Sequence, residues 1–255
     1  MKYKLGKRPA RFNAVKFKFS TFFTAAKLPT PPTEFGHYKL MKDPWDILGN
    51  DEFGDCVWAG AAHEQMLWSL EGGTPRQHFA THNVLSDYAA ATGFDPTKPD
   101  TDQGSDVQAA AAYRQKVGIV DMQGVRHKIK AYVAITPGNL SQLALATWLF
   151  GAVGIGVNLP AVADQQFDAG MPWDVDLSSN TIGGHYVPCV GRDADGNFVV
   201  ITWGKLQRVT PTFLHTYMDE AVAYLSQDIL NKSTHLSPEN FNEALLDQYL
   251  SEVAA

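Results

Sequence analysis

One of the chain's two cysteines stands where a thiol gains reactivity. Cys56 follows a Gly-Asp turn in NDEFGDCVWAG and opens an alanine-rich stretch with helical spacing. At the first turn of a helix, unpaired N–H groups and the helix dipole favour thiolate over thiol. Nucleophilic thiol chemistry also needs an imidazole that takes the proton and returns it to the leaving group. His185, in GGHYVPCVG, begins a strand-like run that would hold its ring rigidly, and Gly183 and Gly184 leave room for a substrate backbone. The backbone N–H of Cys56 and the side-chain amide of Asn50 are candidate donors to an oxyanion. His63, His78 and His82 lie on helical stretches near Cys56 and read as solvent-facing or core-edge residues. Taken singly, Cys56 and His185 each fit a structural role as well. Cys189, in the alternating run YVPCVG, reads as a small buried strand residue.

The elements that must position these groups divide the chain into two halves. A helix is expected from Cys56 to about Leu70 with Asp55 as its N-cap, ended by EGGTP (71–75). Further helices are expected over 79–91 and 106–117, separated by a polar loop at 93–105, with Ser105 or Asp106 as cap. The second half alternates like strands at 128–135 and 152–159, around a helix at 140–150. ADQQFDAGMPWDVD reads as loop. Residues 183–205 read as two strands about the turn Asp193–Gly196. Helical stretches are expected at 211–230 and 237–252. The fold class is therefore α+β with two lobes, helical first and strand-rich second.

The 255 residues are 45% hydrophobic and 19% charged, with a formal charge of −6, a globular composition. The longest apolar run, 143–159, is broken by glycines and reads as helix then strand, so no membrane span is expected. Residues 1–27 hold eight lysines and arginines and no acid. This basic arm either wraps the domain as a solvated extension or meets an acidic partner or a phosphate backbone. The acidic remainder argues against nucleic-acid binding by the main body. Two distant cysteines and no apolar leader after the basic arm suggest a reducing, cytoplasmic location. No metal-ligand spacing such as CxxC or HExxH occurs, so neither metal nor cofactor is expected.

Together these stretches resemble the papain-like cysteine peptidases. That family carries Q-G-x-C-G-S-C-W around its nucleophile; here Asn50 stands six residues before Cys56 and Gly54 two before it. The family's disulfide cysteine in this stretch corresponds to Phe53. LSDYAAATG (85–93) and DQGSDVQAAAAYRQKVGI (102–119) resemble the next family regions, with Gly104 matching a glycine that lines the substrate cleft. LSQLALATWLFGAVGIGVNL precedes FDAG (167–170) as the family's helix and P-V-x-V-x-I strand precede F-x-x-Y-x-x-G, and GGHYVPCVG matches N-H-A-V-x-x-V-G. The resemblance spans residues 28–210 and implies a two-lobed papain-like fold. It implies a hydrolase of peptide or isopeptide bonds with Cys56 as nucleophile, His185 as base and Asn50 in the oxyanion hole. Gly104, Gly184 and Trp203 would border the substrate. The family's I-K-N-S-W-G aligns with VVITWG, which puts Ile201 at the asparagine that orients the imidazole and Thr202 at the serine. Thr202 then becomes the candidate to hold the ring in part. With the asparagine position replaced, the resemblance also admits an inactive papain-fold protein with a structural or binding role in a larger assembly, or an acyl transferase. The basic arm (1–27) and the helical tail (211–255) would be its assembly surfaces, and the absence of a helical prodomain implies an unprocessed intracellular protein.

Overall fold

The computed structural model describes residues 3–22, 30–242 and 244. After a single turn, α1 (Phe19–Phe22), three helices follow: α2 (Cys56–Glu71), α3 (Thr81–Thr92) and α4 (Val107–Lys116). A small antiparallel pair, β1 (Ile119–Val120) and β2 (Arg126–His127), leads to β3 (Ile129–Ile135). Then come α5 (Leu140–Phe150), β4 (Val153–Pro160), α6 (Val162–Asp168), β5 (Thr181–Arg192), β6 (Phe198–Thr202), β7 (Lys205–Val209), α7 (Pro211–Tyr217) and β8 (Met218–Ser226). Six of the strands form one antiparallel sheet in the order β3-β8-β4-β5-β6-β7.

The pleat sorts the core into two clusters. Val157, Val187, Cys189, Val200 and Ala223 join a cluster with α5, α6 and α7. Tyr186, Val190, Ile201, Val222 and Tyr224 join a second with α2, α3 and α4. Alternate residues of one strand thus serve opposite lobes. Cys189 is a buried strand residue.

α2 is buried along nearly its whole length, which explains an apolar pattern with no polar face. It approaches β5 closely because Gly60 has no side chain: a Cβ there would lie 2.5 Å from the Tyr186 ring. Its buried Glu64 is paired through both carboxylate oxygens. Arg114 of α4 meets the Glu64 carboxylate at 2.6 Å, Tyr186 Oη donates to the other Glu64 oxygen at 2.6 Å, and the guanidinium lies 4.2 Å from the Tyr224 ring centroid. This network ties α2, α4, β5 and β8 together.

Three expectations from sequence change. The stretch 211–230 is helical only to Tyr217; Met218–Ser226 is a strand inserted between β3 and β4. Alanines suggest helix, but AVAYL fits a strand buried on both faces, and tertiary pairing prevails over propensity. Within the supposed loop after β4, α6 forms because Ala163 and Phe167, four apart, both reach the core. Asp55 occupies the N-cap position but makes no capping hydrogen bond with its side chain. Of the helix expected at 237–252, residues 237–242 instead form a turn closed by a Leu236–Asn242 bridge, and most of the rest lies outside the described residues.

Candidate active site

Cys56 is brought to the sheet by the segment before it. Phe53 N–H bonds to Gly49 O, and Asn50 Nδ2 donates to Phe53 O at 3.2 Å. Gly54 N–H donates to both oxygens of Asp102, at 3.0 and 3.1 Å. Asp102 also accepts from Tyr88 Oη at 2.6 Å, and Tyr88 Oη accepts from Gly104 N–H at 2.9 Å. The nucleophile turn and the 102–105 loop are therefore braced against each other. The sequence reading missed Asp102 and Tyr88, because nothing local marks two residues whose partners lie far along the chain.

The thiol lies against the backbones of Tyr186 in β5 and Gly6 in the N-terminal arm. Burial pushes its pKa up to about 12; the nearby Asp55 adds to the rise, while backbone hydrogen bonding and the Lys7 charge oppose it. Asp55 is itself fully buried, and desolvation raises its carboxyl well above the usual range. A helix N-terminus favours thiolate, but here desolvation wins.

His185 stands on β5 opposite Val157 of β4. Its Nε2 is 2.7 Å from Thr202 Oγ1, and the ring stacks on Trp203 with centroids 4.8 Å apart. Nδ1 is buried without a hydrogen-bond partner among the described residues. Burial lowers the imidazole pKa to about 3. The closed site thus holds a neutral thiol and a neutral imidazole, with no hydrogen bond between them.

Trp203 is fixed by an unusual turn. Thr202 pairs with Lys205 across a two-residue hairpin loop, and Trp203 and Gly204 have φ of 45° and 74°. A bulky residue at positive φ is strained and stays there only when its surroundings hold it. Here His185 stacks on the indole, as does Tyr3 of the arm at 4.3 Å. Asn50, Cys56, His63, Thr202 and Trp203 border one small pocket. His63 Nε2–H donates to the Asp46 carbonyl at 2.9 Å, and burial lowers its pKa to about 4.

The arm closes the site. Gly6 O accepts from Ser105 N–H at 2.7 Å, Arg8 N–H donates to Ser105 O at 2.9 Å, and Lys7 N–H donates to Gly184 O at 3.0 Å. Residues 6–8 so form a strap hydrogen-bonded to both walls of a cleft that has Cys56 at its floor. The fit requires missing side chains: a Cβ on Gly104 would lie 2.1 Å from Gly6 O, and one on Gly184 would lie 2.3 Å from Lys7 O. The structure thus brings Gly104 and Gly184 to opposite sides of one extended segment, which belongs to this chain. Its Gly6 is within a basic stretch whose partners are not legible from local pattern.

Among the described residues no helix is long and apolar enough to cross a membrane, and no group of three or more His, Cys, Asp or Glu could hold a metal ion.

No family model and no curated protein sequence matches the chain. Solved structures do. Xylellain, a cysteine protease from Xylella fastidiosa, matches with TM-score 0.62 at 12% identity, over 88% of this chain and 97% of that one. Procathepsin B S9 from Trypanosoma congolense matches with TM-score 0.60 at 13% identity, over 87% and 86%. The Carica candamarcensis cysteine protease CMS1MS2 matches with TM-score 0.54 at 15% identity, over 76% and 99%. The chain therefore has the two-lobed papain-like fold, as the resemblance implies.

Proposed function

We propose that the chain is a thiol hydrolase of peptide or isopeptide bonds, held closed by its own N-terminal strap. One observation carries the reading: the Cys56 thiol lies against the backbone of Tyr186, the residue after His185 on β5, and the His185 ring is bonded at Nε2 by Thr202 while Nδ1 stays unpartnered among the described residues. A base needs one nitrogen held and the other free to accept a proton. With the strap displaced, the Cys56 proton passes to Nδ1, the sulfur bonds to the carbonyl carbon, and the Cys56 N–H and Asn50 amide face the oxyanion. The C–N bond then breaks as the imidazolium gives its proton to the leaving amine, and water releases the acyl group from sulfur. Asn50 leaves Phe53 O to take this role. Two free cysteines suit a reducing, cytoplasmic setting.

The alternative, an inactive papain-fold binding protein, is favoured by the deep burial of both groups and the filled cleft. The two readings separate on the Gly6→Ala chain, in which a Cβ 1.8 Å from Gly54 O expels the strap. Iodoacetamide labelling of Cys56 and turnover of a fluorogenic peptide library are expected to appear there, and both to vanish in Cys56→Ala. A released, folded chain with an inert Cys56 overturns the hydrolase reading.

A further inference from the structure

Among the described residues of the arm the most buried cation is Lys7, and nothing in its sequence context marks it as a core residue. Its side chain is 0% exposed, and Nζ meets Asp219 Oδ2 at 2.9 Å, Glu220 Oε1 at 3.1 Å and the Arg8 carbonyl at 3.0 Å. The floor of this pocket is Gly156 of β4, where a Cβ would lie 2.4 Å from Lys7 Cε. Gly156 pairs with Glu220 across β4 and β8, so floor and acidic wall are one rigid piece of sheet. The stem enters from the cleft, because the Lys7 backbone is the part bonded to Gly184 and flanked through its neighbours by Ser105.

The surroundings are acidic beyond what Lys7 neutralises. Asp106 lies close enough to act on Glu220 and is met by Arg11 of the same arm. Asp219 Oδ1 is buried without a hydrogen-bond partner among the described residues. Asp219, Glu220 and Arg11 also border a cavity of about 610 Å³ that includes Asn158 and Gln108. A cleft stripped of its strap would expose three carboxylates that, among the described residues, form ion pairs only with Lys7 and Arg11 of the arm. Such a surface concentrates basic peptides and repels acidic ones.

We infer that the Asp219–Glu220–Gly156 pocket is a specificity subsite that takes the lysine side chain of a peptide substrate, and that Lys7 fills it in cis. This rests on the hydrolase reading for the word substrate, but the pocket's selectivity can be tested without catalysis. The strap is then a resident pseudosubstrate, matched to the cleft in both backbone hydrogen bonds and charge. Gly156 admits an unbranched stem, and the two carboxylates receive its ammonium.

The test uses the full chain carrying Gly6→Ala, Lys7→Glu and Cys56→Ala, so that the strap is expelled sterically and repelled electrostatically. Fluorescently labelled acetyl-Leu-Gly-Lys-Arg-amide is titrated by anisotropy against the same peptide with norleucine for lysine. The lysine peptide is expected to bind about 10–100-fold more tightly, the range for a hydrogen-bonded buried charge. That preference is expected to fall within about threefold when Asp219→Asn and Glu220→Gln are added. Equal binding of the two peptides, or binding of neither, overturns the inference. Should the triple variant fail to fold, the Lys7→Glu, Cys56→Ala chain carries the same comparison with the native Gly6. Turnover of lysine peptides by the released chain with Cys56 intact is scored separately. Lysine-selective binding without turnover removes the hydrolase reading and leaves the subsite; turnover without lysine preference does the reverse.

Discussion

Replacing Thr202 with valine tests the arrangement of His185 directly. The two side chains are nearly isosteric, so packing against Trp203 is kept and only the hydroxyl is lost. That hydroxyl is 2.7 Å from His185 Nε2, and both residues are buried, at 3% and 1% exposure. Leaving a buried ring nitrogen without its partner costs about 1–3 kcal/mol. Nδ1 already lacks a partner, so the ring has no second bond to fall back on. Thr202→Val is therefore expected to lose about 1–3 kcal/mol in urea unfolding, while Thr202→Ser, which keeps the hydroxyl, loses about 1 kcal/mol or less for its missing methyl. The second readout is the tautomer. A threonine oxygen accepting from Nε2–H leaves the lone pair on Nδ1, the form a base requires. Long-range proton–nitrogen NMR of the ¹⁵N-histidine-labelled protein should show protonated Nε2 in the native chain and a mixture in Thr202→Val. Stability within about 0.5 kcal/mol of native, with the tautomer unchanged, would refute the orienting role of Thr202.

In the native chain, iodoacetamide should label Cys56 at least tenfold more slowly than in Gly6→Ala, because burial holds the thiol at about 12; Cys189 should stay inert in both, as mass spectrometry of the digested protein would show. Arg114→Met leaves Glu64 buried without its cation and should destabilise by about 3–5 kcal/mol, with much of the loss recovered in the Arg114→Met, Glu64→Gln double variant, read from denaturant midpoints. The imidazole of His185 is depressed from 6.5 to about 3, so the unfolded chain binds a proton that the folded chain refuses between those values. The resulting stability is complete above pH 6.5 and is lost as pH falls below it, at about 1.4 kcal/mol per unit between pH 6 and 4. His185→Gln should lose that slope when the two proteins are unfolded side by side across this range.

What could be read from the sequence was what is encoded locally. α2 begins at Cys56 and α5 runs from Leu140 to Phe150 as the patterns predict, because caps, turn glycines and periodicity lie within a few residues of those boundaries. β8 was hidden because its alanines carry a helical propensity that only the neighbours β3 and β4 overrule. The strap was hidden for a stronger reason. Gly6, Lys7 and Arg8 find their hydrogen bonds at Ser105 and Gly184, and Lys7 finds its carboxylates at Asp219 and Glu220, none of which is near in sequence. The unusual charge of the arm was visible, and an acidic partner was one reading of it; that the partner includes the chain's own cleft was not.

The pleat places Ile201 and Thr202 on opposite faces of β6. Aligning VVITWG on its tryptophan and glycine sets Ile201 at the position of the imidazole's orienter. In β6, however, Val199 and Ile201 face the α2 cluster, while Phe198 and Val200 face the cluster that holds Val187 and Cys189. His185 shares the latter face, two and four residues before them on β5. Thr202 shares it too, being two beyond Val200, whereas Ile201 points into the opposite lobe beside Tyr186. The residue bonded to the ring is therefore the threonine, while Ile201 lines the small pocket it shares with Cys56 and Asn50. Both groups are buried, with Cys56 against Gly6 of the strap and Lys7 bonded to Gly184 beside His185. Burial raises the thiol to about 12 and lowers the imidazole to about 3, so both shifts oppose moving the proton from sulfur to ring. On the proposed hydrolase reading, readmitting water to the cleft lowers that cost, which would place the switch in the strap rather than in the sheet.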